Sequence, residues 1–122
     1  MRILVVDDEV IVRRAFERLF VAKGFVVETA ENGQEALARL ANGDPPTAII
    51  LDLDMPFVDG VAVYGYLQEE RRLADVFTVL VTGDPSRAPA GALVMVKPVS
   101  LPRLLGVIHG HIALRLGTPV AN

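Results

Sequence analysis

The stretch that decides the fold runs from residue 48 to residue 60 and reads Ala-Ile-Ile-Leu-Asp-Leu-Asp-Met-Pro-Phe-Val-Asp-Gly. Its first four residues are apolar without alternation, which is typical of a strand buried on both faces of a parallel sheet. Pro56 and Gly60 prevent a long continuation of that strand. The pattern therefore predicts that Asp52 lies at the carboxyl end of a buried strand, which is the edge where open α/β sheets bind ligands.

Four other short apolar segments are predicted to form strands, and they alternate with segments of helical periodicity. The predicted strands cover residues 3–6, 25–29, 77–81 and 93–96. One predicted helix covers residues 61–73, and Ser100 is suited to cap the last helix. Strands that alternate with helices through right-handed crossovers predict one doubly wound α/β domain with a five-stranded parallel sheet. We assign residues 1–117 to this domain and 118–122 to a C-terminal tail.

The composition excludes several classes of function. The 122 residues carry a net charge of −3 and no cysteine. Without a basic excess, no nucleic-acid partner is expected, and without cysteine neither a disulfide scaffold nor a cysteine nucleophile can form. The apolar stretch over residues 104–114 contains two histidines and is shorter than the roughly 20 residues that a membrane span needs. We therefore expect a cytoplasmic protein with no membrane partner.

Polar side chains follow four of the five predicted strands, namely Asp7 with Asp8, Asp52, Thr82 and Lys97. If the strand order is 2-1-3-4-5, the three carboxylates converge at the topological switch point of the sheet. Two carboxylates about 4 Å apart repel by roughly 4 kcal/mol at an effective dielectric near 20, so the group needs a divalent cation or raised pKa values. An open site with few oxygen ligands suits Mg²⁺.

The lysine and the threonine add phosphate chemistry to this acidic edge. The compact charge of Lys97 suits one phosphoryl oxygen, and the hydroxyl of Thr82 can donate a hydrogen bond to another. The whole set predicts phosphoryl transfer to Asp52, with Mg²⁺ and Lys97 neutralising charge while Thr82 holds the product.

Five motifs together make the chain similar to the bacterial two-component response-regulator receiver domain, of the chemotaxis-regulator type, from residue 3 to about residue 116. The motifs are Val5-Val6-Asp7-Asp8-Glu9, Ala30-Glu31-Asn32-Gly33-Gln34-Glu35-Ala36-Leu37, Leu51-Asp52-Leu53-Asp54-Met55-Pro56-Phe57-Val58-Asp59-Gly60, Val81-Thr82-Gly83 and Val96-Lys97-Pro98. The resemblance implies the flavodoxin-like sheet order 2-1-3-4-5 and a cis peptide bond between Lys97 and Pro98.

The same resemblance implies a function and its site residues. Asp52 would be phosphorylated by a histidine kinase or a histidine phosphotransfer protein. Mg²⁺ would be bound by Asp8, Asp52 and the backbone carbonyl of Asp54, with Asp7 acting through water. Such a domain catalyses its own phosphorylation and dephosphorylation and does not turn over a substrate. It then relays the group or switches a downstream protein target.

The chain departs from the resembled pattern between Thr82 and Lys97, which are 15 positions apart. This spacing is about two helical turns, or roughly 7 residues, shorter than the pattern, so we predict that the fourth helix is short or absent. Val94 stands where receiver domains usually have an aromatic switch residue. We therefore expect that the phosphorylation chemistry is kept while the output mechanism differs.

Several alternatives stay open at this stage. Asp52-Leu53-Asp54 also resembles the DxD motif of phosphatases of the haloacid-dehalogenase type, although Pro56 and the earlier Asp7-Asp8 pair do not fit that family. A flavodoxin-like cofactor binder would need a phosphate-binding loop in place of those acids. The carboxylate of Asp54, like that of Asp84, either influences the acyl phosphate or is an ordinary exposed acid.

The last helix raises a question of assembly. It has more apolar residues than one face can bury, so it either forms a homodimer patch or covers core that a short fourth helix leaves open. Its two histidines, His109 and His111, are two positions apart and point in different directions on a helix. We expect one packed and one exposed histidine, with no shared metal.

Overall fold

A computed structural model describes residues 1–56 and 60–116, so the predicted tail lies outside the described residues. Within them the chain forms five strands: β1 (Arg2–Val6), β2 (Val26–Ala30), β3 (Ala48–Asp52), β4 (Phe77–Thr82) and β5 (Leu93–Val96). It also forms four α-helices: α1 (Val10–Ala22), α2 (Gly33–Ala41), α3 (Gly60–Glu69) and α4 (Leu101–Leu116).

The five strands form one parallel sheet in the order β2-β1-β3-β4-β5, which confirms the predicted fold class and strand order. The register pairs Val6 of β1 with Leu51 of β3, and it pairs Asp52 of β3 with Val81 of β4. The carboxyl ends of these three strands therefore lie side by side. Residues that follow them directly, beginning with Asp7, are brought together at that edge.

Strand β3 lies at the centre of the core, and all five of its residues are buried. Ile49 and Leu51 belong to a cluster that includes Leu67 of α3. Ile50 belongs to a second cluster, on the opposite face, that includes Phe20 of α1. Because helices cover both faces of this strand, its carboxyl end is held rigidly and offers a fixed position for a functional side chain.

The helix predicted over residues 61–73 divides into two elements. Helix α3 ends before Glu70, whose backbone is extended with φ −90° and ψ 115°, and a single turn of 3-10 helix follows. This break turns Leu73 into the core, where it is 1% exposed. The side chain of Arg72 meanwhile donates to backbone carbonyl oxygens at the end of α2. Burial of Leu73 and these hydrogen bonds explain why the regular helix stops early.

The connection between β4 and β5, residues 83–92, contains one turn of 3-10 helix at Pro85–Arg87 and no α-helix. The prediction that the fourth helix is short or absent is therefore confirmed. Ala88 and Ala92 of this connection pack against the same cluster as Val94 of β5. The connection thus lies directly on the core, in the place that a helix would otherwise take.

Helix α4 uses most of its apolar residues within the molecule. Ser100 Oγ accepts a hydrogen bond from the Arg103 N–H at 3.3 Å, which confirms the predicted cap. Leu104 and Ile108 are fully buried, while Leu114 is 82% exposed. Covering the core accounts for much of the apolar excess, and the homodimer stays a prediction.

None of the described helices is long and apolar enough to cross a membrane.

The two histidines of α4 have different surroundings, as predicted. His111 stacks on Phe77 with ring centroids 3.9 Å apart, whereas His109 is exposed beside Phe25. Burial lowers the pKa of His111 below its ordinary value, and the charge of Arg115 adds to that effect. These side chains pack against aromatic rings and do not form a shared metal site.

Candidate functional site

Three carboxylates meet at the carboxyl edge of the sheet, as the sequence predicted. Asp7 and Asp8 follow β1, Asp52 ends β3, and one carboxylate oxygen from each lies within 4.8 Å of the others. Asp7 and Asp52 are 2% and 1% exposed, whereas Asp8 is exposed. The group therefore combines two buried acids with one that faces solvent.

Asp7 is fixed by its own loop. Its Oδ1 accepts a hydrogen bond from the Glu9 N–H at 2.8 Å, and its backbone carbonyl accepts one from Arg13 at 2.7 Å. Burial raises the pKa of Asp7 to about 6, against the opposing effect of the Glu9 N–H, and the nearby charge of Asp52 raises it further. A carboxylate at this position is costly to ionise unless a cation compensates it.

Asp52 has one engaged oxygen and one without a partner. Its Oδ1 accepts a hydrogen bond from the Asp54 N–H at 2.9 Å and lies 3.0 Å from Lys97 Nζ. Its Oδ2 is buried and has no hydrogen-bond partner among the described residues. Burial raises the pKa of Asp52, although the Asp54 N–H and Lys97 oppose this effect.

This donor set fits a hard divalent cation. Buried polar atoms in folded proteins are normally paired, so an unpartnered Asp52 Oδ2 beside two more carboxylates indicates a missing positive partner. Mg²⁺ takes oxygen ligands and is commonly held by one or two carboxylates with several waters. The exposed Asp8 leaves the cluster open to solvent on one side. The predicted Mg²⁺ chemistry is therefore consistent with the residues that converge here.

Lys97 extends from the end of β5 across the end of β4 to reach β3. Its backbone N–H donates to the Thr82 carbonyl at 2.9 Å, and its peptide bond to Pro98 is cis, as predicted. Besides Asp52, its Nζ lies 3.4 Å from Asp54 Oδ2. Burial alone would lower the pKa of Lys97, but the hydrogen bond and charge of Asp52 raise it overall. The lysine therefore stays charged between two carboxylates.

The side chain of Asp54 lies apart from the acid cluster, on the Thr82 side of Asp52. Its Oδ1 accepts the Thr82 hydroxyl at 2.8 Å, and its Oδ2 accepts the Gly83 N–H at 2.8 Å. Arg87 Nη1 also lies 3.0 Å from Asp54 Oδ1. Burial alone would raise the pKa of Asp54, but the Gly83 N–H, the Thr82 hydroxyl and the lysine charge hold it below its ordinary value.

Arg87 was not identified from the sequence, where it stands in a connection with no regular pattern. Its position depends on the 3-10 turn, which begins after the side chain of Asp84 accepts hydrogen bonds from the N–H and hydroxyl of Ser86. These hydrogen bonds hold the pKa of Asp84 below its usual value. The carboxylate of Asp84 therefore serves to cap this turn.

Gly60, the first residue of α3, lies close against the backbone of Asp52 and Leu53. A Cβ atom at this position would overlap the backbone oxygen of Asp52 and lie 2.8 Å from the Cα of Leu53. Such contacts leave room for glycine and for no larger residue. Close approach of α3 to β3 thus fixes the backbone that presents Asp52.

An apolar groove of about 530 Å³ opens beside Lys97, between α1 and the segment that joins β5 to α4. Its walls include Phe16, Val81, Pro98 and Leu101. Ile11, at its rim, is 81% exposed. The groove offers an apolar surface directly next to the charged site.

Comparison with known proteins identifies the family. The family model described as response regulator receiver domain matches residues 3–108. The chain is 42% identical over 81 residues to the probable transcriptional regulator ycf27 of Porphyra purpurea, a match that covers 66% of this chain and 32% of that protein. The chain thus spans about a third of the length of the curated relatives it matches.

Solved structures agree with this match. The response regulator TrrA from Thermotoga maritima in complex with Mg²⁺ and BeF gives a TM-score of 0.79 at 30% identity, covering 90% of this chain and 97% of that one. The complex of the histidine kinase ThkA with TrrA gives a TM-score of 0.78 at 29% identity, covering 91% and 97%.

This chain belongs to the response regulator receiver domain family. The family, the fold and the function class expected from the sequence are confirmed by these comparisons. They give no support to the phosphatase of the haloacid-dehalogenase type.

Proposed function

We propose that this domain accepts a phosphoryl group on Asp52 from the phosphohistidine of a histidine kinase or a histidine phosphotransfer protein. The observation that carries the proposal is the Asp52 carboxylate: its Oδ1 lies 3.0 Å from Lys97 Nζ, its Oδ2 is buried without a partner among the described residues, and it clusters with the carboxylates of Asp7 and Asp8. The surroundings both compensate its charge and leave an oxygen available, which suits a nucleophile. Membership in the receiver family supports the same chemistry.

In the proposed transfer, an Asp52 carboxylate oxygen attacks phosphorus in line with the N–P bond of the phosphohistidine. An O–P bond forms as the N–P bond breaks, and the electron pair of that bond stays on the imidazole nitrogen, which takes a proton from solvent. In the separate dephosphorylation step, a water oxygen attacks phosphorus and gives up a proton to solvent, the O–P bond to Asp52 breaks with its electron pair staying on the carboxylate, and inorganic phosphate leaves. The domain thus catalyses its own modification and turns over no separate substrate.

For Mg²⁺, we propose Asp8 and Asp52 as carboxylate ligands and the backbone carbonyl of Asp54 as a third ligand. Asp7 is held by the Glu9 N–H and would act through a water molecule. Bound Mg²⁺ supplies positive charge that stabilises the phosphoryl oxygens during transfer. The structure supports this proposal through the convergence of the three side chains within 4.8 Å.

Lys97 and Thr82 are the proposed phosphoryl-binding side chains. The ammonium lies 3.0 Å from Asp52 Oδ1, close enough to neutralise charge on a phosphoryl group attached there. The Thr82 hydroxyl is buried at the adjacent strand end, where it donates to Asp54 Oδ1 at 2.8 Å. Each can donate a hydrogen bond to a different phosphoryl oxygen.

The proposed donor protein docks on the apolar groove beside Lys97. A phosphohistidine must come within bonding distance of Asp52, so the donor's surface must cover the neighbouring part of the receiver. The groove supplies apolar area there, with Ile11 at its rim. The ThkA–TrrA complex shows that a histidine kinase binds a receiver that resembles this chain. We also propose that the reaction takes place in the cytoplasm, as expected from the sequence.

The phosphorylated domain is proposed to act on a protein target. The curated relatives include longer proteins named as transcriptional regulators. The target is accordingly either another part of the same longer protein or a separate partner. The structure gives no basis for direct binding of nucleic acid by this domain, whose net charge is −3.

Acetyl phosphate with Mg²⁺ tests the proposal directly. The intact mass of the wild-type protein should rise by one phosphoryl group, whereas Asp52→Asn should show no gain. Asp75→Asn, an exposed acid far from the site, is the matched control and should react like the wild type. A chelator should prevent the reaction. Phosphorylation of Asp52→Asn to the wild-type level would contradict the assignment of the acceptor.

A further inference from the structure

The carboxylate of Asp54 is surrounded by positively charged and hydrogen-bond-donating groups. Its two oxygens contact the Thr82 hydroxyl at 2.8 Å, the Gly83 N–H at 2.8 Å, Arg87 Nη1 at 3.0 Å and Lys97 Nζ at 3.4 Å. The Asp54 carboxylate therefore already occupies these donors at the edge of the site.

These contacts overlap with those that a phosphoryl group on Asp52 requires. Lys97 Nζ lies between the two carboxylates, 3.0 Å from Asp52 Oδ1 and 3.4 Å from Asp54 Oδ2. The Thr82 hydroxyl has a single hydrogen, so it cannot donate to Asp54 and to a phosphoryl oxygen at the same time. The negative charges of the Asp54 carboxylate and the phosphoryl group would also repel each other. The Asp54 carboxylate and the phosphoryl group must compete for the same donors.

We propose that Asp54 is an internal competitor for the phosphoryl-binding donors, and that Arg87 is the positioning residue that holds it there. Phosphorylation of Asp52 displaces the Asp54 carboxylate and breaks its ion pair with Arg87. This inference rests on the proposed function and adds the regulation of the same site.

The ion pair between Arg87 and Asp54 joins the site to the connection between β4 and β5. Arg87 belongs to the 3-10 turn that replaces the fourth helix, and the connection over residues 83–92 lies directly on the core. The side chains of Arg87 and Asp54 are 42% and 27% exposed, so the pair can open without disrupting the core. Val94 stands where receiver domains usually have an aromatic switch residue. In this chain the Arg87–Asp54 ion pair links the acceptor region to the connection between β4 and β5.

Phosphorylation kinetics with acetyl phosphate and Mg²⁺ test the competition. Asp54→Ala removes the carboxylate but keeps the backbone carbonyl and N–H that face the proposed metal and Asp52. If the carboxylate occupies the donors in about two thirds of molecules, its removal raises the second-order rate constant about threefold. Arg87→Ala should give a smaller increase, and Arg87→Lys should restore the wild-type rate. Asp54→Asn, which keeps the shape without the charge, should fall between wild type and Asp54→Ala.

The Gly83 amide provides a second readout. Its NMR signal should shift in Asp54→Ala before phosphorylation, because the hydrogen bond to Asp54 is lost. In the wild type the signal should shift when Asp52 is phosphorylated.

The outcomes separate the two proposals. If the wild type gains no phosphoryl group, both fail. If the wild type is phosphorylated but Asp54→Ala and Arg87→Ala react at the wild-type rate or more slowly, the competition alone is overturned.

Discussion

Lys97 Nζ lies 3.0 Å from Asp52 Oδ1, although Lys97 follows strand β5, Asp52 ends β3, and β4 lies between these strands. The contact joins a buried carboxylate to a cation that is 29% exposed. Burial raises the pKa of Asp52, and the lysine limits that increase. The lysine therefore favours the ionised form of the proposed nucleophile, in addition to any contact with the phosphoryl group.

Replacement of Lys97 by methionine should slow phosphorylation by acetyl phosphate at least tenfold, because loss of one charged donor typically costs about 10²–10³ in rate. The pKa of Asp52 should rise further, so the pH at which the rate reaches its plateau should move upward. A pH–rate profile measured by intact mass checks both effects. Lys23→Met, at the exposed end of α1, is the control and should keep the wild-type profile. Equal rates for Lys97→Met and wild type would exclude the proposed role.

Asp7 should make the metal-free protein less stable at neutral pH than in mild acid. Its pKa in the fold is about 6, above the ordinary value of 3.8. A raised carboxyl pKa favours folding below the ordinary pKa, and this contribution is lost as pH rises through about 6. Since each pKa unit corresponds to about 1.4 kcal/mol, Asp7→Asn should raise the free energy of unfolding at pH 7.5 by up to roughly 3 kcal/mol.

Urea denaturation in the presence of a chelator, from pH 4 to pH 7.5, measures this effect. The difference between Asp7→Asn and wild type should be largest at pH 7.5 and should shrink toward pH 4. Saturating Mg²⁺ should stabilise the wild type more than the variant, since it compensates the same charges. A difference that does not change with pH would show that the side chain acts through packing alone.

The fold class could be predicted from local patterns, whereas the convergence of the acids also required the strand order 2-1-3-4-5, which the family resemblance implied. The unalternating run before Asp52 marks a buried strand, and the acids after β1 share its edge in the observed sheet order. Lys97 was recognisable for the same reason, as the residue that directly follows an apolar strand. In each case a strand end fixes the position, and the identity of the residue supplies the chemistry.

The position of the Asp54 carboxylate could not be predicted in this way. It depends on Thr82 and Arg87, which are 28 and 33 positions away, and on the backbone of a connection without regular structure. The family resemblance implied that its backbone carbonyl binds Mg²⁺, and the sequence left the role of the side chain open. In the sequence, Gly60 indicated only that the strand does not continue. Its close approach to Asp52 could not be predicted, because it exists only once α3 packs on β3.

Gly60→Ala should destabilise the domain and disturb the acceptor. The added methyl group would overlap the Asp52 carbonyl oxygen and lie 2.8 Å from the Leu53 Cα, so α3 or β3 must shift. Overpacking of this kind typically costs about 1–3 kcal/mol. Gly65→Ala is a matched control in the same helix, because nothing lies within 4 Å of its Cβ position. It should be neutral or stabilising by up to about 1 kcal/mol. Equal unfolding free energies for both variants would contradict the close approach.

Substitution of Ile11 should slow phosphoryl transfer from a protein donor but not from acetyl phosphate. It is 81% exposed at the rim of the groove beside Lys97. A charged residue there would be placed against the apolar surface of a docked donor. Ile11→Lys should therefore slow transfer from a phosphohistidine protein by about tenfold, which corresponds to about 1.4 kcal/mol of lost binding.

Val21→Lys is the matched control for this substitution, since Val21 lies at the other end of α1 and is 56% exposed. It should transfer at the wild-type rate. Phosphorylation of both variants by acetyl phosphate should equal that of the wild type, because this small donor needs no docking surface. Stopped-flow or gel-based transfer assays at donor concentrations below saturation measure the difference. If Ile11→Lys slows both donors equally, the substitution has altered the site itself, and the groove loses its proposed role in recognition.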